Sequence, residues 1–195
     1  MQLYQSIQTQ LILTLVFLLA FVFQFNVITP LENELFPSTD LHYASLLFIP
    51  HGLKVLATYL MGIVAVPAVF IAQLLAGLLI LDSPITDSLV GATFGTIAVI
   101  LPVAMINFLL KNKWYEGVAT QGSASIGTFR AFIITVILST FINSILHSAY
   151  YHIEATIMLP FRYLMGDMFG AILVFGTVMV FRRSILKFIM GRVHG

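Results

Sequence analysis

The chain lacks cysteine and has few charged residues. Cysteine is absent from all 195 residues, which excludes thiol catalysis, disulfide bonds and thiolate metal sites. Asp, Glu, Lys and Arg together make up 9% of the chain, whereas 59% is hydrophobic, and the mean hydropathy is +1.02. This balance is typical of a protein that folds in a lipid bilayer rather than in water. With a net charge of +1 and no solvated basic domain, no nucleic-acid partner is expected.

Long apolar stretches fill most of the sequence. A bilayer requires each segment to satisfy its own backbone hydrogen bonds, and these stretches are too evenly apolar for alternating barrel strands. We therefore predict an all-α, polytopic membrane bundle of about six transmembrane helices, with the whole of 1–195 as one transmembrane domain. The predicted spans are 9–28, 44–62, 64–81, 88–110, 128–150 and 160–181, followed by a basic tail, 182–195.

The basic residues predict the orientation of the bundle. Lys111, Lys113 and Arg130 flank the connection between the fourth and fifth spans, and the tail carries Arg182, Arg183, Lys187 and Arg192. By the positive-inside rule, both regions and both termini should be cytoplasmic. The tail also interleaves these basic residues with apolar ones. That pattern suits either a helix on the inner leaflet, in contact with anionic lipids, or a plain positive flank.

Two charged residues lie inside apolar stretches, Lys54 in the second span and Asp167 in the last. A charge at membrane depth costs at least ~2.5–3.5 kcal/mol, so it usually has a partner or a task. Both residues should lie roughly 10–15 Å below the outer boundary, and we expect them to pair. Helical spacing adds His51 beside Lys54, and a polar stripe on the fifth span adds Ser139, Asn143 and His147.

The predicted site therefore consists of His51, Lys54, Asn143, His147 and Asp167. One interpretation is a small water-accessible cavity that binds a polar ligand from outside. The other is a structural network of interhelical hydrogen bonds with one buried ion pair. His147 and His152 are badly spaced for one helix face, so no metal site is expected. Without a nucleophile–base or phosphate-binding motif, we expect neither a cofactor nor catalytic residues, and no enzyme.

Glycine and proline mark further positions. Two pairs with Gly-x-x-x-Gly spacing, Gly91 with Gly95 and Gly166 with Gly170, predict close helix packing within the bundle or, alternatively, a dimer contact. Pro50 and Gly52 fall inside the predicted second span, where we expect a helix break or a kink.

Two short motifs support a family resemblance. The segment 48–56 (FIPHGLKVL) with Gly62, and the segment 166–170 (GDMFG) before a basic exit at Arg182, resemble the bacterial membrane-associated sensor domain of the first class. The resemblance covers 40–183 loosely. It implies a multi-pass protein of the bacterial inner membrane that senses a ligand. That family usually has about eight spans and a fused kinase or cyclic-di-GMP enzyme, so this chain is expected to signal through a separate partner.

Two alternatives remain open. The chain is also similar to the substrate-binding subunit of energy-coupling-factor vitamin transporters, which has six spans and sometimes a Gly-Asp near the start of its last helix, as at Gly166-Asp167. A structural subunit of a larger membrane complex is the third possibility. The expected partners are the lipid bilayer, a membrane or cytoplasmic protein that supplies output or energy, and a small polar ligand.

Overall fold

A computed structural model describes the backbone of residues 2–36, 45–111, 113, 126–151 and 158–191. It describes the side chains of residues 7–36, 45–111, 113, 130–150 and 160–181. Seven α-helices make up this part of the chain: α1 (Gln2–Phe23), α2 (Thr29–Leu35), α3 (Ile49–Met61), α4 (Val66–Leu79), α5 (Ile85–Leu109), α6 (Ile126–Tyr151) and α7 (Met158–Gly191). A π-helical turn, Gln24–Ile28, joins α1 to α2, and a 3₁₀ turn, Gly62–Ala65, joins α3 to α4. The prediction of an all-helical protein is confirmed.

Proline sets the starts of the short helices. Pro30, Pro50 and Pro67 lie in the first turns of α2, α3 and α4, respectively. At Pro50, which follows the non-helical Phe48, the missing N–H has no helical partner to lose. The expected break inside the second span is therefore wrong in position. The helix begins at Ile49, so Pro50 starts α3 instead of interrupting it.

The chain folds back between α3 and α4. Gly62 adopts φ 59° and ψ −137°, a backbone conformation that side chains other than glycine rarely tolerate. Lys54 and Gln73 lie 19 residues apart, which in a straight helix would separate their Cα atoms by about 28 Å. Their side chains nevertheless form a 2.9 Å hydrogen bond. Gln10 of α1 donates a 2.6 Å hydrogen bond to the carbonyl of Val64 in this turn.

The helices surround α3. Proceeding round the bundle, α1 packs against α4, α4 against α5, α5 against α6 and α6 against α7. Helix α3 fills the space between α7 and α1 and also contacts α5 and α6. It is the most enclosed of the short helices, with seven of its residues buried: Pro50, His51, Gly52, Lys54, Val55, Thr58 and Tyr59.

The outward surface is apolar, as a membrane protein requires. In the described part of the chain, five helical stretches are long and apolar enough to cross a membrane: Ile7–Leu35, Ile49–Leu79, Ile85–Leu109, Arg130–Tyr150 and Pro160–Phe181. Large apolar side chains such as Leu11, Leu101, Phe141 and Ile172 remain exposed on them. A water-soluble monomer rarely exposes so much contiguous apolar surface, so the chain is a multi-pass membrane protein.

Candidate functional site: a buried polar network

The polar network lies near one end of the bundle, where α3 begins. We call this the Ser45 end, since Ser45 immediately precedes that helix, and the opposite end the Val64 end. His51 and Lys54 face inward from the first two turns of α3 and are 0% and 2% exposed. Asn143 on α6 and Asp167 on α7 join them and are equally buried. Four of the five predicted site residues are thus brought into one enclosed region.

Asp167 is held by two neutral or weakly basic neighbours. Asn143 donates a 2.6 Å hydrogen bond from Nδ2 to Oδ2 of Asp167. The Nδ1 atom of His51 lies 3.5 Å from the same oxygen. That distance permits electrostatic attraction, but the geometry does not make a hydrogen bond. The carboxylate therefore links α7 to both α3 and α6.

Lys54 has a different partner from the predicted one. Its ammonium group donates a 2.9 Å hydrogen bond to Oε1 of Gln73 on α4, and it lies 5.9 Å from the centre of the Phe21 ring. Gln73 in turn donates from Nε2 to the carbonyl of Gly91, at 2.8 Å. The cation is therefore tied to α4 and α5, whereas Asp167 is tied to α3 and α6.

The expected direct contact between Lys54 and Asp167 is wrong. Among the described residues, the one ion pair within 4.0 Å joins Asp167 to His51. Lys54 and Asp167 still interact electrostatically across the network. Both charged residues are buried in the same region of the bundle, but Gln73 and His51 occupy the positions next to them. A spacing argument cannot resolve this, because it gives height along a helix and not the identity of the nearest side chain.

His51 bridges α3 and α6. Its Nε2 lies 3.0 Å from Oγ of Ser139, and its Nδ1 faces Asp167. The carboxylate favours a proton on Nδ1, which leaves Nε2 to accept the Ser139 hydroxyl. The order Ser139–His51–Asp167 is that of a hydrolytic triad. Acyl transfer also needs N–H donors for an oxyanion, and Ser139 lies fully buried in mid-helix, where backbone N–H groups are already bonded. The arrangement orients His51 instead.

His147, the fifth predicted site residue, lies beside the network and interacts electrostatically with His51 and Lys54. Its Nδ1 contacts the carbonyl of Asn143 at 3.0 Å, one turn back along α6. Its ring packs edge-on against Phe94 and at a tilt to Tyr163. His147 therefore covers the network on the side of the Ser45 end.

A clamp made of Gln24 and Glu32 holds the backbone that leads into α3. Glu32 accepts hydrogen bonds from the Leu46 and Leu47 amides, at 3.2 and 2.9 Å, and from the Ser45 hydroxyl. Gln24, in the π-helical turn, donates to Ser45 and accepts from the Ile49 amide, both at 3.1 Å. Glu32 is buried and anchors the start of α3.

The second glycine pair, Gly166 and Gly170, packs against the segment before α3. A Cβ at Gly166 would collide with the Ser45 carbonyl, and one at Gly170 with the Phe48 carbonyl. The Phe48 amide donates to the Gly166 carbonyl at 2.9 Å. Gly52 approaches the backbone of α7 at Gly170 in the same way, so its role is close packing and not a break. The pair thus contacts a segment of its own chain, beside Asp167.

The first glycine pair behaves differently. A Cβ at Gly95 would collide with the Gln73 side chain, so Gly95 makes room for the partner of Lys54. A Cβ at Gly91 meets no described atom within 4 Å. Close helix packing at Gly91 was therefore wrongly predicted. Its backbone carbonyl, and not its lack of a side chain, is what the network uses.

Several other polar side chains lie outside the network, and part of the predicted basic tail lies outside the described residues. Thr93, Thr96 and Asn26 bond to carbonyls one turn back on their own helices, a local arrangement. The backbone of α7 continues as one helix to Gly191, so the tail is not a separate helix. The side chains of Arg182, Arg183 and Lys187, and all of Arg192, fall outside the described residues. The described residues contain no group of three or more His, Asp or Glu placed to hold a metal ion.

Gln73 is the site residue that the sequence analysis missed. It is the one polar side chain within α4, a signal as visible as that of Lys54. Its amide carries no charge, and the charge criterion therefore passed over it. Comparisons of this chain with protein-family models, curated proteins and solved structures found no match.

Proposed function

We propose that this protein is a sensor-like or accessory membrane module that recognises a small polar ligand through the network of His51, Lys54, Asn143 and Asp167. One observation carries the proposal. A cation and an anion are buried in the same enclosed region, yet each is bonded to a neutral side chain and not to the other. A purely structural ion pair gains most from direct, bidentate contact. Charges held apart by neutral partners suit a site that interacts with a third group.

The proposal includes a topology of six membrane-crossing segments with both termini cytoplasmic. The fold-back at Gly62 supports it, because α3 and α4 then cross separately instead of forming one long helix. The contacts between Tyr150 and Asp87, and between Ser144 and the Pro160 carbonyl, bring the end of α6 to the starts of α5 and α7 at the Ser45 end. With the positive-inside rule, that end faces outward from a bacterial inner membrane.

Cysteine labelling tests this topology on a chain that has no cysteine of its own. Asp82 and Lys111 are matched positions, since both are exposed and both have positive φ. We expect an impermeant thiol reagent added to intact cells to label Asp82→Cys and to spare Lys111→Cys until the membrane is opened. Labelling of Lys111→Cys alone in intact cells would show that the orientation is the reverse of the proposed one. Labelling of both variants would show that α5, which lies between the two positions, does not cross the membrane.

Ligand recognition is tested by mass spectrometry of small molecules retained through gentle purification. We expect the wild-type protein to retain a polar molecule that Asp167→Asn loses. Thr93→Ala is the matched control, because its hydroxyl bonds only within α5 on an exposed face. Equal small-molecule content in all three preparations would contradict the proposal. Co-purified proteins distinguish the partner: a kinase or cyclase supports sensing, and an ATPase with its membrane scaffold supports transport.

A further inference from the structure

The polar network leaves buried hydrogen-bonding capacity unused around both of its charged residues. Lys54 has three N–H groups and, among the described residues, donates one hydrogen bond, to Gln73. Across the network, Oδ1 of Asn143 is buried and has no hydrogen-bond partner in the described part of the chain. Both close approaches to Asp167, the hydrogen bond from Asn143 and the 3.5 Å contact of His51 Nδ1, fall on Oδ2, and among the described residues His51 Nδ1 is itself buried without a hydrogen-bond partner. Buried polar atoms are rarely left in this state.

The two sides cannot satisfy each other as they stand. Lys54 and Asp167 lie further apart than the 4.0 Å of an ion pair, since the only such pair in the described residues joins Asp167 to His51. The Gln73 amide holds Lys54 toward α4, and Asn143 holds Asp167 toward α6. A group placed between them must accept from an ammonium and donate to a carboxylate and an amide oxygen.

The charge balance restricts that group further. Lys54 and Asp167 compensate each other, with His51 held between a hydroxyl and the carboxylate. A ligand with a net charge would leave one unit of charge uncompensated inside a membrane bundle, which is costly. A ligand that carries both charges and is neutral overall matches the site without that cost.

We infer that the network binds a small zwitterion of the amino-acid type, with its ammonium group at Asp167 and Oδ1 of Asn143 and its carboxylate at Lys54. This inference rests on the proposed function and names the class of its ligand. Ser139 and Gln73 act as positioning residues, since each holds a charged or titratable member of the network. The Gly166–Gly170 contact with the segment before α3 fixes the height of Asp167 against His51.

Thermal unfolding in lipid nanodiscs tests the inference with defined probes. Glycine, 3-aminopropanoate and 4-aminobutanoate differ only in the separation of their two charges, and methylamine and acetate carry one charge each. At equal ionic strength, we expect at least one amino acid to raise the wild-type Tm saturably, by about 5 °C at high occupancy. Neither single-charge probe should do so. Lys54→Gln and Asp167→Asn should lose the shift, and Thr93→Ala should keep it.

The wild-type comparison needs no variant to fold, so the inference stays testable if a substitution prevents folding. If none of the three amino acids shifts the Tm, the zwitterion inference is wrong. Mass spectrometry of the retained small molecules then tests the proposed function separately. A shift with acetate or methylamine alone that Asp167→Asn or Lys54→Gln abolishes overturns the zwitterion and leaves ligand recognition standing. A shift that persists in folded Lys54→Gln and Asp167→Asn also overturns it, because the amino acid then binds elsewhere.

Discussion

The same three helices, α3, α6 and α7, form two layers of opposite character. Near the Ser45 end they contribute His51, Ser139 and Asp167, in contact through 3.0 and 3.5 Å approaches. About two turns toward the Val64 end they contribute Tyr59, Phe132 and Phe175, whose rings pack at centroid distances of 5.1 and 4.4 Å. The helices place these layers roughly 12 Å apart.

The difference lies in how each layer is completed. The aromatic layer is filled by its own side chains, together with a core cluster that includes Val55, Val99 and Val103. Such packing favours a single arrangement of the side chains and needs no ligand to complete it. The polar layer is closed by hydrogen bonds that do not use every donor and acceptor. Under the proposed function, recognition belongs to the polar layer and stability to the aromatic one, and four predictions test that division.

The largest effect is expected where the polar layer is packed most closely. In Gly170→Ala, the new methyl group would overlap the Phe48 carbonyl, so α7 and the segment before α3 must separate. Because the colliding atom is backbone and cannot move aside, we expect a cost beyond the roughly 1–3 kcal/mol of ordinary overpacking and loss of the monodisperse folded protein. Gly176→Ala is the control, because its methyl group meets no described atom within 4 Å. It should be neutral or slightly stabilising.

Next comes the coupling between the separated charges. Asp167→Asn leaves Lys54 without compensation, and Lys54→Gln does the same to Asp167, so each should destabilise the protein by about 3–5 kcal/mol. The double variant should lose less than either single variant. Unfolding of all four proteins in a double-mutant cycle measures this. If the losses of unfolding free energy are additive, Lys54 and Asp167 do not interact, and the two halves of the polar layer are energetically independent.

A moderate effect is expected from Gln73→Leu. The substitution removes the acceptor of Lys54 and the donor to the Gly91 carbonyl while roughly keeping the side-chain volume. Leaving the buried ammonium without this bond should cost about 1–3 kcal/mol of unfolding free energy. Because Lys54→Met by itself leaves Asp167 uncompensated, the bond to Lys54 is measured in a double-mutant cycle, in which Gln73→Leu should cost less in the Lys54→Met background than in the wild-type protein. An equal cost of Gln73→Leu in both backgrounds would show that the amide serves α5 and not the cation.

The smallest effect should come from the aromatic layer. Phe132→Leu exchanges one apolar side chain for a smaller one between Tyr59 and Phe175, and should cost about 1–1.5 kcal/mol. Its Tm shift with amino-acid probes should equal that of the wild-type protein, because no polar contact changes. If the folded Phe132→Leu variant loses this Tm shift, the two layers are coupled and the proposed division is wrong.

Much of the fold follows from the sequence. Segments in a bilayer have to be helices or closed barrel strands to satisfy their backbone groups, and the even hydrophobicity of these segments left the all-helical bundle. The period of the helix placed His51 and Lys54 on one face of α3, and Ser139 and Asn143 on one face of α6. The six-span prediction separated α3 from α4 at Gly62, where the chain does fold back.

The contacts that define the site were decided by tertiary structure alone. Height along a helix does not reveal that Gln73 reaches Lys54, or that His51 stands beside Asp167, because these pairs join helices far apart in sequence. Nor does the Gly-x-x-x-Gly spacing show that Gly166 and Gly170 pack against the non-helical segment 45–48 that leads into α3. Local sequence determines where each helix runs and which face is polar. Which polar groups meet depends on the rotation and packing of all the helices together.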